Sequence, residues 1–171
     1  MTWYALLVLA VAVERVAELV VARRNAARVF SRGGVEYGQG HYPAMVALHL
    51  GLLAACLLEP ALADRPFLPA LGWPMLALAL LAQALRWWCI TALGPYWNTR
   101  VIVVPGARLV AAGPYRFLSH PNYAAVVVEI AALPLVHSAW LTATVFTAAN
   151  AALLTVRIRC ENTALGQAVP A

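Results

Sequence analysis

The chain has 171 residues, 63% of them apolar and 11% charged, with a mean hydropathy of +0.76, whereas soluble domains hold about 45–50% apolar and about 25% charged residues. A soluble globular domain is thereby excluded, and lipid is the solvent in which about one domain must fold. The net charge of +5 comes from twelve Arg against seven acidic residues, a balance that orients a membrane protein and implies no nucleic-acid partner.

Residues 3–22 form the first apolar run, long enough to cross a hydrocarbon core of about 30 Å as a helix. A signal peptide is the competing reading of residues 1–22, but no basic stretch precedes the run, and Glu14, Arg15 and Glu18 interrupt it. These charges lie within about one turn, with Glu14 and Glu18 on one face, and are expected to pair inside a bundle because an unpaired charge in lipid costs several kcal/mol. Residues 23–42 are a polar connection carrying Arg23, Arg24, Arg28 and Arg32. Further runs at 43–59, 71–90, 123–137 and 139–156 complete five predicted spans. His41 and His49 suit interfacial or packing positions as well as ligand ones. The last two runs meet at His137-Ser138, and Pro134 allows one broken helix as an alternative. About 34 residues at 1.5 Å each are too many for one crossing, so two crossings are expected.

Other arginines follow an alternating plan. Arg100, Arg108 and Arg116 lie between the third and fourth runs and Arg157 and Arg159 after the fifth, whereas the opposite connections hold Arg65 beside Glu59 and Asp64. The positive-inside rule puts the N-terminus outside and the C-terminus in the cytoplasm. The expected fold is an all-α, polytopic integral membrane helical bundle of about five transmembrane helices, a single domain over residues 1–171. Cys56, Cys89 and Cys160 have no CxxC spacing and predict neither a disulfide framework nor a zinc site. No His, Asp or Glu cluster has metal-site spacing, so no metal is expected.

The polar remainder is residues 23–42, residues 91–122 and the segment from Arg157, all on one side of that topology. Gly94-Pro95 and Gly113-Pro114 are turn signals, and neither GxGxxG nor a GK[ST] loop occurs. That removes a Rossmann domain as the way to hold a nucleotide-like cofactor. The richest constellation runs from Gly113 to Tyr123, where Pro114 and Pro121 stiffen the backbone and Tyr115, His120, Asn122 and Tyr123 offer hydrogen bonds and aromatic faces. On spacing alone it is as compatible with an interfacial anchor as with a functional site.

The string GPYRFLSHPNY, followed by a span and then by RIRCENTAL, resembles the isoprenylcysteine carboxyl methyltransferase family, whose pattern reads approximately GPY, RHPxY and a later R-x-x-x-E within an EE pair. The resemblance covers roughly residues 71–166. It implies a multi-span bundle that holds S-adenosylmethionine near the cytosolic side, at residues 91–123 and 157–166. Cofactor contacts are implied for Arg108, Leu109, Val110, Tyr115, His120, Pro121, Asn122, Tyr123 and Glu161, and a substrate contact for Arg157, four residues from Glu161 and so on one helix face. Ser119 stands where the family usually has Arg, and Asn162 replaces the second Glu. Glu14-Arg15, Glu18-Leu19, Arg24-Asn25, Gly33-Gly34, Glu36, Gly38, His41-Tyr42-Pro43 and Leu93-Gly94, with Tyr96-Trp97-Asn98, look like the bacterial branch that methylates alkylpyrones or alkylresorcinols.

These resemblances imply a methyltransferase of a bacterial plasma membrane that acts at the cytoplasmic face on a lipophilic acceptor drawn from membrane lipid, by carboxyl or phenol/enol O-methylation. A phospholipid N-methyltransferase and a non-catalytic membrane subunit are the alternatives. Methyl transfer from a sulfonium is an in-line displacement that asks chiefly for positioning and exclusion of water. A carboxylate acceptor needs only orientation; a phenol or enol must also lose a proton. Glu129, an ionisable residue inside the fourth run, is the candidate base, with pairing to Arg15 as the other reading.

Overall fold

The computed structural model describes residues 1–107 and 109–168. Five helices make the bundle: α1 (Thr2–Phe30), α2 (Tyr42–Leu62), α3 (Pro69–Leu93), α4 (Pro121–Leu135) and α5 (Trp140–Ala168). Among the described residues, α2, α3 and α5 belong to helices long and apolar enough to cross a membrane, α4 is a shorter apolar helix, and Arg15 and Glu18 of α1 meet charged partners inside the bundle. The protein is therefore an all-α integral membrane bundle. Two features extend the sequence expectation. Helix α1 runs on to Phe30 and α5 on to Ala168, so Arg23, Arg24, Arg28, Arg157 and Glu161 sit on helices rather than in connections. Val35–Tyr37 and Val101–Val103 also form an antiparallel pair, β1 and β2, with Glu36 opposite Ile102. These three-residue runs are rich in β-branched and aromatic side chains, but too short to stand out in an apolar sequence.

The core is inverted relative to a soluble protein only at its surface. Tyr4, Val8 and Val11 of α1, Leu48, Leu52 and Cys56 of α2, and Val126, Ile130 and Leu133 of α4 pack together inside. Leu6, Leu9, Leu50, Leu81 and Leu141 are exposed, as side chains solvated by lipid should be. Helix α4 is the axis of the bundle. Its Ala125 and Ala132, with Gly72, Ala79 and Ala82 of α3, are buried small residues that let the two backbones approach. A Cβ at Gly72 would lie 2.8 Å from the Val136 carbonyl oxygen.

The two ends of the bundle differ. At one, the α4–α5 turn uses Ser138 at φ +58, which separates two helices rather than bending one. Glu59 accepts hydrogen bonds from the Leu141 and Thr142 amides at 3.2 and 2.7 Å, placing a carboxylate on the positive end of α5. Trp3, Phe67, Trp73 and His137 cluster there. At the other end, Asn25 donates to the carbonyls of Gly94 and Trp97 at 3.1 and 2.9 Å, Glu36 pairs with Arg100 at 3.4 Å, and α5 meets both strands. Residues 23–42, the 94–120 connection and the end of α5 thus converge, as the alternating topology requires.

Candidate functional site

Helix α4 has 15 residues, about 22 Å at 1.5 Å per residue, less than the thickness of a hydrocarbon core. The 94–120 connection lines a cavity, the condition under which irregular backbone is tolerated at membrane depth. Gly113 makes this closure possible. Its φ is +55, and a Cβ would sit 2.9 Å from Ala92 Cβ and 3.0 Å from Trp88 Nε1, so the GPY turn lies hard against α3. Pro121 then starts α4 at a position that has no use for its missing N–H.

The cavity has a volume of about 510 Å³ and is lined by the 94–123 connection and the end of α5. Leu109, Val110, Tyr115, His120, Asn122, Tyr123, Arg157 and Glu161 all lie on its wall, so the expected residues come together. Pro121 does not line it and acts by starting the helix. Arg108 lies outside the described residues. One relay organises the wall: Arg157 Nε donates to the Tyr123 hydroxyl at 2.8 Å, and that hydroxyl donates to Glu161. His120 stacks on Tyr123, ring centroids 5.2 Å apart, and its Nε2 lies 3.0 Å from Asn162 Oδ1. Asn162, a departure from the family pattern, therefore holds the histidine in place. Burial, together with the neighbouring Cys89 thiol, pushes the Tyr115 phenol well above its usual range, so it stays neutral.

A second cavity, of about 150 Å³, lies deeper and is lined by residues of α1, α2, α3, α4 and α5. Its wall includes Val46 and Leu50, both exposed on the outer surface of α2. Trp97, Asn98, Asn122, Tyr123 and Arg157 line both cavities. On this shared wall, Trp97 Nε1 and Asn122 Oδ1 are buried without a hydrogen-bond partner. A buried donor and acceptor left open in this way are unusual.

Beside the second cavity lies an ion network that sequence reading caught only in part. Arg15 reaches Glu18 at 2.5 Å, Gln83 at 2.8 Å and both oxygens of Glu129 at 2.9 Å. Arg86 donates to Glu129 and lies 3.5 Å from Glu18. Two arginines and two glutamates make it neutral overall, the state in which buried charge is tolerable. The expected pairing of Arg15 with Glu18 and with Glu129 is present. Glu129 lines neither cavity, and guanidinium groups occupy both its oxygens, so the geometry gives it the pairing role. Arg86 is the member that the sequence expectation lacks, and its signal is an ionisable residue inside the third apolar run.

The larger cavity suits S-adenosylmethionine. Its volume falls within the about 300–1,000 Å³ of small-molecule sites. Glu161 can take the amino group or a ribose hydroxyl, and Asn122 Oδ1 and Trp97 Nε1 offer an acceptor and a donor. Tyr115 and His120 add aromatic faces.

The profile of the isoprenylcysteine carboxyl methyltransferase (ICMT) family matches residues 75–167. The "Uncharacterized protein YpbQ" of Bacillus subtilis (strain 168) is 41% identical over 161 residues, 94% of this chain and 95% of its own. An "Uncharacterized protein" of Haemophilus influenzae is 24% identical over 155 residues, 89% of this chain and 88% of its own. No solved structure matches.

Proposed function

Because the chain belongs to the isoprenylcysteine carboxyl methyltransferase family, and is thus a membrane methyltransferase, we propose that it uses S-adenosylmethionine to methylate a ring hydroxyl, phenolic or enolic, on an acceptor with an apolar chain. The observation that carries this reading is the shared wall of Trp97, Asn98, Asn122, Tyr123 and Arg157 between a cofactor-sized cavity and a smaller one inside the bundle. A cavity of about 150 Å³ holds a single six-membered ring, which favours a ring head over a long chain as its content. The exposed flank at Val46 and Leu50 gives the chain a way into lipid. Residues that make the chain resemble the alkylpyrone and alkylresorcinol branch, Arg15, Glu18, Leu19, Tyr42, Trp97 and Asn98, line this smaller cavity.

Glu161, Asn122, His120, Tyr115 and Trp97 would hold the cofactor, with the backbone around Leu109 and Val110 closing over it. When bound, the cofactor would supply an electrophilic methyl on sulfur, which would pass to the acceptor oxygen as that oxygen's proton is given up to water and the thioether is left behind. Arg157 orients the acceptor. Two of its five N–H donors are engaged, by Tyr123 and by the Met45 sulfur at 3.2 Å, and the others are available to an ionised oxygen. Tyr123 and Glu161 lock the guanidinium in place. The site is proposed to face the cytoplasm of a bacterial plasma membrane, a reading supported by the arginine-rich connections on its side of the bundle.

The test is methyl transfer from labelled S-adenosylmethionine by the purified protein in detergent, offered an alkylresorcinol, a prenylcysteine and phosphatidylethanolamine. Label is expected in the alkylresorcinol as a methyl ether, at a rate that rises with pH as the hydroxyl ionises. Label in the prenylcysteine alone, with a flat rate from about pH 6 to 8, would replace the phenol reading with a carboxylate one. Label only in phosphatidylethanolamine would replace it with N-methylation, and no label at all would remove catalysis on these acceptors.

A further inference from the structure

Resting on that reading, we infer that His49 is the base of the reaction: its Nε2 takes the proton of the acceptor hydroxyl and hands it on to water. His49 is half-buried on α2 and lines the smaller cavity. Its Nδ1 lies 2.8 Å from the Met45 carbonyl oxygen. A carbonyl can only accept, so Nδ1 carries the hydrogen and the lone pair of the neutral ring sits on Nε2. Nε2 has no hydrogen-bond partner among the described residues. Met45, one turn away on the same helix face, takes Arg157 Nη1 on its sulfur at 3.2 Å. The imidazole therefore lies about one helical turn from the guanidinium proposed to hold the reacting oxygen.

Among the described residues, no other side chain on that cavity is free to take a proton. Glu18 is salt-bridged to Arg15 and Arg86, and the Tyr123 hydroxyl accepts from Arg157 and donates to Glu161. Tyr42 is a phenol no more basic than the acceptor, and arginine has no lone pair to offer. The charged groups around the ring are Arg15 and Glu18 of α1, Arg86 of α3, Glu129 of α4 and Arg157 of α5, with the Tyr42 and Tyr123 phenols beside them. In the step itself the acceptor O–H bond breaks, its proton joins Nε2, and the electron pair left on oxygen forms the bond to the methyl carbon. The carbon–sulfur pair stays with sulfur as the thioether. The positive charge of the sulfonium thus ends on the imidazole, which releases it to water as a proton.

Two acceptors of equal chain length test this role in the purified protein with labelled S-adenosylmethionine. One is an alkylphenol, which at neutral pH must lose its proton during the reaction; the other is an alkyl hydroxypyrone, whose enol is a vinylogous carboxylic acid already ionised there. His49→Asn keeps an N–H at the place of Nδ1, and with it the bond to Met45, while removing Nε2. At neutral pH its kcat on the alkylphenol should fall about a hundredfold or more, while turnover of the hydroxypyrone and cofactor affinity stay close to wild type. The lost phenol rate should return as the pH nears about 10, where a phenol ionises unaided. In His49→Ala, which leaves room for a ring, added imidazole should restore phenol turnover, and this rescue decides alone should His49→Asn fail to fold. A purely structural role would lower both acceptors together and give no rescue. Equal losses on the two acceptors, wild-type phenol turnover in His49→Asn, or no rescue of His49→Ala would overturn this inference and leave the methyltransferase reading standing. No methylation of either acceptor by the wild-type protein would overturn both.

Discussion

Glu129→Gln separates a carboxylate that holds the bundle together from one that takes a proton. Glu129 is 4% exposed and receives Arg15 on both oxygens at 2.9 Å and Arg86 on one. The wild-type network balances Arg15 and Arg86 against Glu18 and Glu129. The substitution leaves one net positive charge among buried groups and turns an amide N–H toward guanidinium donors. Removing one partner of a buried ion pair costs about 3–5 kcal/mol. At about 2–4 °C per kcal/mol for a chain of this size, the apparent Tm should drop by roughly 6–20 °C. The assay is thermal unfolding in detergent of wild type, Glu129→Gln and Glu129→Asp, with S-adenosylmethionine affinity measured alongside at low temperature. Glu129→Asp, which keeps the charge, should recover part of the loss, and cofactor affinity should hold in both. A wild-type Tm in Glu129→Gln combined with a collapsed kcat would refute the pairing argument and make Glu129 the base.

Three further outcomes are expected. Glu161→Ala and His120→Ala should each weaken S-adenosylmethionine binding by about 1–3 kcal/mol by calorimetry, and unchanged affinity in folded variants would remove them from the site. Tyr123→Phe keeps the ring on His120 but removes the hydroxyl between Arg157 and Glu161, so kcat/KM should fall about tenfold, about 1.4 kcal/mol; a value equal to wild type would show that the relay positions nothing. In a background lacking Cys160, a cysteine at Asp64 should be labelled from outside the cell and one at Phe117 should not, and the opposite pattern would reverse the orientation.

Much of the fold was legible because in lipid the length of an apolar run decides the element. The five runs are five helices, and the doubt at Pro134 resolves into a turn because Ser138 adopts a left-handed conformation that no helix continues through. Helix ends were less legible. Arg23 and Arg157 look like the edges of spans, but a helix leaving the membrane changes its solvent and not its hydrogen bonding. The pairing of Val35–Tyr37 with Val101–Val103 joins segments 64 residues apart between Tyr37 and Val101, and nothing local announces it. The site was legible as a set of residues and not as a shape. Tyr115 of GPY, His120, Asn122 and Tyr123 of HPNY, and Arg157 with Glu161 fall on one wall, whereas Gly113, Pro114 and Pro121 do not. That the wall is double, with Trp97 and Asn122 lining both cavities, depends on how α4 starts below the 94–120 connection. Gly94 reads as a turn signal, but Trp97 and Asn25 stand out only as part of a resemblance. The structure supplies the reason: Asn25 holds the other two backbones.

The central claim is that cofactor and acceptor meet across the wall of Trp97, Asn98, Asn122, Tyr123 and Arg157. The most direct measurement is an experimental structure of the protein with S-adenosylhomocysteine and an alkylresorcinol bound together. The account predicts the nucleoside in the larger cavity near Glu161, the ring in the smaller one, and the sulfur facing a ring oxygen held by Arg157. Finding both molecules in one cavity, or the sulfur turned away from the shared wall, would contradict it.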